Sequence, residues 1–92
     1  MLRRYIIERE VPGIGAMSPT ELCGAALTSN QALAGLAPRV QWQHSYVADN
    51  KTFCVYLAED EDAVMAHAEK SGFPANKITE VPQIIDPVTA NG

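Results

Sequence analysis

Polar residues flank a short apolar centre in RYIIER, residues 4–9, and the run stops at Val11-Pro12-Gly13. That pattern predicts a first strand followed by a turn. Ser18-Pro19-Thr20-Glu21 then carries the marks of a helix start. The serine accepts from free backbone N–H groups, the proline suits the first helical position, and the glutamate bonds back to the cap. Leu22, Ala26, Leu33 and Leu36 recur close to the helical period, so the apolar stripe runs to about Leu36, ahead of Pro38. Gly24 weakens this helix slightly.

VQWQHSYV, residues 40–47, places Trp42, His44 and Tyr46 on one side and Gln41, Gln43 and Ser45 on the other, the alternation of a strand. TFCVYLA, residues 52–58, is rich in β-formers, and Asp49-Asn50 between the two runs suits a tight turn with left-handed backbone angles. In the resulting hairpin Tyr46 opposes Phe53 and His44 opposes Val55. Trp42, His44, Tyr46, Phe53, Val55 and Leu57 then share a face, expected beneath the helices, while Ser45, Cys54 and Tyr56 look the other way. A bulge or a longer turn moves His44 and Tyr46 to the side of Cys54, because a one-residue slip reverses a strand's faces.

Four carboxylates from Glu59 to Asp62 suit the positive end of a helix, and Lys70, Gly72 and Pro74 suit its close, giving a second helix over about residues 60–71. KITEVPQIID, residues 77–86, reads as a last strand, which Pro82 confines to an edge or bends. The order strand, helix, strand, strand, helix, strand, with right-handed crossovers, gives one antiparallel sheet with both helices on one face. This is the ferredoxin-like α+β arrangement, a single domain over residues 1–92 with its ordered core at about 3–87. The other sheet face is left bare. At this size folding buries only roughly 60–65% of the unfolded surface, so a homodimer with its two sheets packed together, a dimeric α+β barrel, is expected.

Seven Lys and Arg against eleven Asp and Glu give a net charge of −4, which argues against nucleic acid, whose affinity comes mostly from clustered cations. No apolar run reaches membrane-spanning or signal-peptide length, so the expectation is a cytoplasmic protein without a membrane partner. Cys23 on a helix and Cys54 on a strand read as free thiols, with Cys23 in the core. VPGIG lacks the glycine spacing and lysine of a phosphate loop, and no nucleotide cofactor is expected.

Residues 44–87 carry a distinctive series: Ser45-Tyr46-Val47, Asp49, Lys51, Phe53 to Tyr56, His67, Gly72 to Pro74, Ile78 to Val81, and Asp86-Pro87. The series resembles a bacterial family of small ferredoxin-like proteins, catalogued as a domain of unknown function, whose better-known member is described as a nickel-binding protein. The resemblance implies a ferredoxin-like dimer and nickel or another divalent transition metal as ligand. It transfers no catalytic residue.

The candidate metal donors are His44, His67, Glu80 and Cys54, since neutral imidazole suits borderline ions such as nickel, copper and zinc. Each also has a packing explanation: a hydrogen-bonded imidazole, a buried small thiol, or a carboxylate paired with Arg4, Arg9 or Lys51. His44 and His67 meet if both lie beneath the helices. The leading reading is a non-catalytic homodimer binding nickel in sequestration or stress response. A second is a small-organic-ligand protein or enzyme with a cavity near His44, Tyr46 and Cys54, His44 serving as general base. A third is a sensory module that binds a small ligand and regulates a partner.

Overall fold

Ser18 accepts from the backbone N–H of Glu21 while the Glu21 carboxylate accepts from that of Ser18, the reciprocal cap read from the sequence. The computed structural model describes all 92 residues. They form β1 (Arg3–Glu10), α1 (Pro19–Ala34), β2 (Val40–Val47), β3 (Lys51–Ala58), α2 (Glu61–Ser71) and β4 (Lys77–Val81), with 3-10 turns at Ile14–Ala16 and Pro87–Asn91. The α2 N-cap is Asp60, and Gly72 closes the helix with a φ of 76°, a left-handed conformation that costs glycine little.

The four strands lie in the order β2-β3-β1-β4, with every neighbouring pair antiparallel. With the two helices, this is the expected ferredoxin-like α+β fold. Tyr5 and Ile7 of β1, Cys54, Tyr56 and Ala58 of β3, and Ala63 and Val64 of α2 form its core. Ile7 and Val64 are fully buried, and each such side chain stabilises the fold by about 1.5–3 kcal/mol relative to exposure. No helix is long and apolar enough to cross a membrane.

The hairpin register is as expected over its tip, with Tyr46 opposite Phe53 and His44 opposite Val55. The face assignment is reversed. The helices cover the side of Cys54 and Tyr56, so His44, Tyr46, Phe53, Val55 and Leu57 lie on the helix-free face. Trp42 departs from them because β2 bulges between Trp42 and His44, and Trp42 opposes Tyr56 instead. Gln43 is the extra residue, and an extra residue swaps the faces of everything before it. The physical gain is visible in the indole, which packs against the core while its Nε1–H donates to Ser45 Oγ at 3.0 Å.

Three smaller expectations are also corrected. Positive φ values are confined to Gly13 and Gly72, so Asp49-Asn50 turns without left-handed residues. Asn50 is used differently: its backbone carbonyl accepts from Val11 N–H at 3.0 Å and its side-chain oxygen from Gly13 N–H at 2.9 Å. The last strand lies at the sheet edge, as Pro82 implies, but ends at Val81 instead of running on to Asp86. Cys23 is exposed, because it lies outside the inward stripe of α1, and both cysteines are free.

Candidate functional site

Alternation along β1 sends Tyr5, Ile7 and Arg9 to the helix-covered face, and Arg9 is only 3% exposed. Arg9 Nη1 donates to the backbone carbonyls of Phe73 and Pro74 at 3.3 and 2.6 Å, and Nη2 lies 3.5 Å from the Tyr56 hydroxyl. The guanidinium carbon also stands 5.9 Å from the centre of the Phe73 ring. The ion pairs of the molecule join Arg3 to Glu80, Arg39 to Glu59, and Lys51 and Lys77 to Glu8; Arg9 has no carboxylate within 4.0 Å. A buried guanidinium without an anionic partner is costly to keep.

Arg9 forms part of the wall of a cavity of about 230 Å³ beneath α1. Leu22, Ala26 and Ser29 of α1 roof it, and Trp42, Cys54 and Tyr56 of the sheet floor it. Behind this wall lies His67 of α2, fully buried, with Nε2 3.2 Å from Ser29 Oγ and its ring 4.9 Å from that of Tyr56. Its Nδ1 is buried without a hydrogen-bond partner. Burial, reinforced by the Arg9 charge and only partly opposed by a hydrogen bond involving Ser29, lowers the His67 pKa to about 4. The ring is therefore neutral at neutral pH. Burial likewise raises the Tyr56 hydroxyl above its ordinary value of 10.0 against the pull of Arg9, so it remains a protonated donor.

The candidate donors from the sequence are dispersed. His44 is exposed on the helix-free face, with Nε2 3.1 Å from the Tyr46 hydroxyl. His67 and Cys54 are buried under the helices, so the expected meeting of His44 and His67 does not occur: the sheet separates them. Cys54 Sγ donates to Thr52 Oγ1 at 3.5 Å, on the opposite face from His44, and the cavity therefore takes in Cys54 without His44 or Tyr46. Glu80 pairs with Arg3 at 3.4 Å and accepts from the Tyr5 hydroxyl at 3.5 Å, replacing the expected partners Arg4, Arg9 and Lys51. Within one chain no three His, Cys, Asp or Glu side chains converge as a metal site. One chain alone thus does not offer a transition metal three such side-chain donors at one point.

Arg9 was not a site candidate in the sequence. The signal that finds it is parity: Arg9 lies two and four residues beyond Ile7 and Tyr5 on the same strand face.

A family model described as nickel responsive protein, SCO4226-like, matches residues 5–81. Among solved structures, the crystal structure of SCO4226 from Streptomyces coelicolor A3(2) aligns with a TM-score of 0.74 at 18% identity, covering 89% of this chain and 99% of that one. That likeness establishes the shared fold. No curated protein matches the chain.

Proposed function

This chain belongs to the family of nickel responsive SCO4226-like proteins, and from that premise we propose that it is a small cytoplasmic homodimer that binds nickel in metal sequestration or stress response. The observation that carries this reading beyond the family description is the position of His44. It is the one imidazole of the chain's two that is exposed, and it stands on the sheet face that no helix covers. The same face carries Ile6, Phe53, Val55, Leu57 and Val81, with Tyr46 61% exposed.

Apolar surface of this kind is commonly buried against a second copy, and a two-fold pairing sets each patch opposite its equivalent. Pairing through this face supplies what one protomer lacks, donors from two chains around one ion. His44 is the imidazole ligand in this reading, with the Tyr46 hydroxyl beside it and Glu8, two strands away on the same face, as a further oxygen donor. His67 and Cys54, enclosed beneath the helices, serve packing.

Calorimetric titration of nickel into chelator-treated protein tests the assignment. His44→Ala is expected to weaken nickel binding at least tenfold, a loss of about 1.4 kcal/mol or more, while His67→Leu leaves it nearly unchanged. Wild-type affinity in His44→Ala would rule out this imidazole as a ligand.

A further inference from the structure

The charge on Arg9 has no counterion. Its Nη1 is occupied by the carbonyls of Phe73 and Pro74, Nη2 has only the long contact to the Tyr56 hydroxyl, and no hydrogen bond engages Nε. The Nε–Nη2 edge is the one left for a further acceptor. A guanidinium edge with two parallel N–H groups matches the paired oxygens of a carboxylate or a phosphate.

The surroundings restrict what else such an anion can carry. Ten of the fourteen residues lining the cavity are hydrophobic, among them Ile14, Leu22, Trp42 and Phe73. The Ser45 hydroxyl already accepts from Trp42, and Thr52 accepts from Cys54. Arg9 is the only basic side chain in the lining, so a doubly charged phosphate would bring one unneutralised charge into apolar surroundings. About 230 Å³ is also small beside the roughly 300–1,000 Å³ of sites for drug-sized ligands. Val47, 46% exposed, forms part of the wall, so the cavity reaches solvent at the hairpin end of β2.

We propose that the cavity beneath α1 binds a small apolar monocarboxylate, its carboxylate paired with the free edge of Arg9 and its hydrocarbon body against Ile14, Leu22 and Trp42. The Tyr56 hydroxyl, beside the guanidinium, donates a further hydrogen bond to the acid. This site lies under the helices and is separate from the helix-free face assigned to nickel. The neutral His67 behind Ser29 adds no second positive charge and keeps the site selective for a single negative one.

Trp42 is the only tryptophan of the chain and forms part of the cavity wall, so its fluorescence reports occupancy directly. The full chain, treated with chelator to remove metal, is titrated with phenylacetate and hexanoate, and in parallel with phenylacetamide, hexanol and inorganic phosphate. Calorimetry supplies an independent affinity. The expected result is saturable binding of at least one acid, at least tenfold tighter than that of its neutral counterpart or of phosphate. Arg9→Met, which removes the charge, and Ala26→Phe, which fills the space without touching Arg9, should each weaken the acid at least tenfold.

The two variants disturb different parts of the site, so if one fails to fold the other decides. Equal binding of acid and amide, tighter binding of phosphate, unchanged affinity in Arg9→Met, or no saturable binding of either acid would overturn the proposal. Because the titration contains no nickel, its outcome stands apart from that of the metal assignment.

Discussion

Arg9 and His67 show how one strand and one helix place two basic side chains in the same interior with opposite consequences. Arg9 keeps its charge, because a guanidinium does not give up its proton in proteins. His67 loses its charge, since burial and the nearby guanidinium bring its pKa from 6.5 to about 4. The unfolded chain regains the ordinary value and takes up that proton first. Folding stability from this residue is therefore intact above pH 6.5 and is lost as pH falls from there toward 4. At about 1.4 kcal/mol per pH unit the loss approaches 3 kcal/mol. Urea unfolding across this range should show a steeper acid dependence for the wild type than for His67→Leu. Parallel curves would mean that His67 is not the group responsible.

The residue scale is also where legibility in the sequence was most uneven. Ser18 and Glu21 announce their helix because both partners of the cap lie within one turn. Arg9 does not announce its burial, because the carbonyls of Phe73 and Pro74 that hold it are more than sixty residues away. Cationic side chains are almost never enclosed without a partner, so sequence patterning alone favours the surface for such a residue.

Among the elements, β2 carries the largest difference between pattern and structure. Its strict alternation of polar and apolar residues predicts Trp42 and His44 on one side, and one extra residue at Gln43 parts them. Periodicity does not reveal a bulge, since part of its cause lies on another strand: the indole opposes Tyr56 and packs against the core. Removing Gln43 should close the bulge and leave Trp42 in the core, because Trp42 and His44 already oppose the adjacent residues Tyr56 and Val55. Trp42 emission should then stay unshifted, whereas Trp42→Ala, which empties the indole site, should cost about 3 kcal/mol or more. A red-shifted emission on removing Gln43 would show that the extra residue itself holds the indole in place.

A tighter dependence joins the 3-10 turn at Ile14–Ala16 to the hairpin. Gly15 N–H donates to the Asp49 carbonyl at 2.9 Å, and a Cβ at Gly15 would lie 2.7 Å from Ala48 O and Asp49 Cα. Gly15→Ala must push two backbone segments apart, and such overpacking costs about 1–3 kcal/mol. Thermal unfolding of Gly15→Ala against Gly24→Ala, where nothing lies within 4 Å of the added carbon, separates this contact from the general effect of losing a glycine. Equal melting temperatures would remove the contact as a constraint.

Over the whole molecule the single antiparallel sheet and the placement of both helices on one of its faces were legible from six elements and the handedness of their connections. Which sheet face the helices cover was not. Both faces of β3 carry apolar residues, Phe53, Val55 and Leu57 on one and Cys54, Tyr56 and Ala58 on the other. Cys54, Tyr56 and Ala58 went beneath the helices, and the wholly hydrocarbon Phe53, Val55 and Leu57 were left on the helix-free face. The same inversion explains why the four sequence candidates do not gather into one site. If that face pairs with a second copy, Leu57→Lys should shift the protein from dimer to monomer in sedimentation velocity without melting its helices. A wild type that sediments as a monomer would leave the patch without its proposed partner.

The most direct test of the nickel assignment is an anomalous difference map, at the nickel absorption edge, from crystals of the nickel-loaded protein. The account predicts a peak about 2 Å from an imidazole nitrogen of His44, between the helix-free faces of two copies. A peak beside His67 or Cys54 beneath the helices, or no ordered nickel in crystals of the loaded protein, would contradict it.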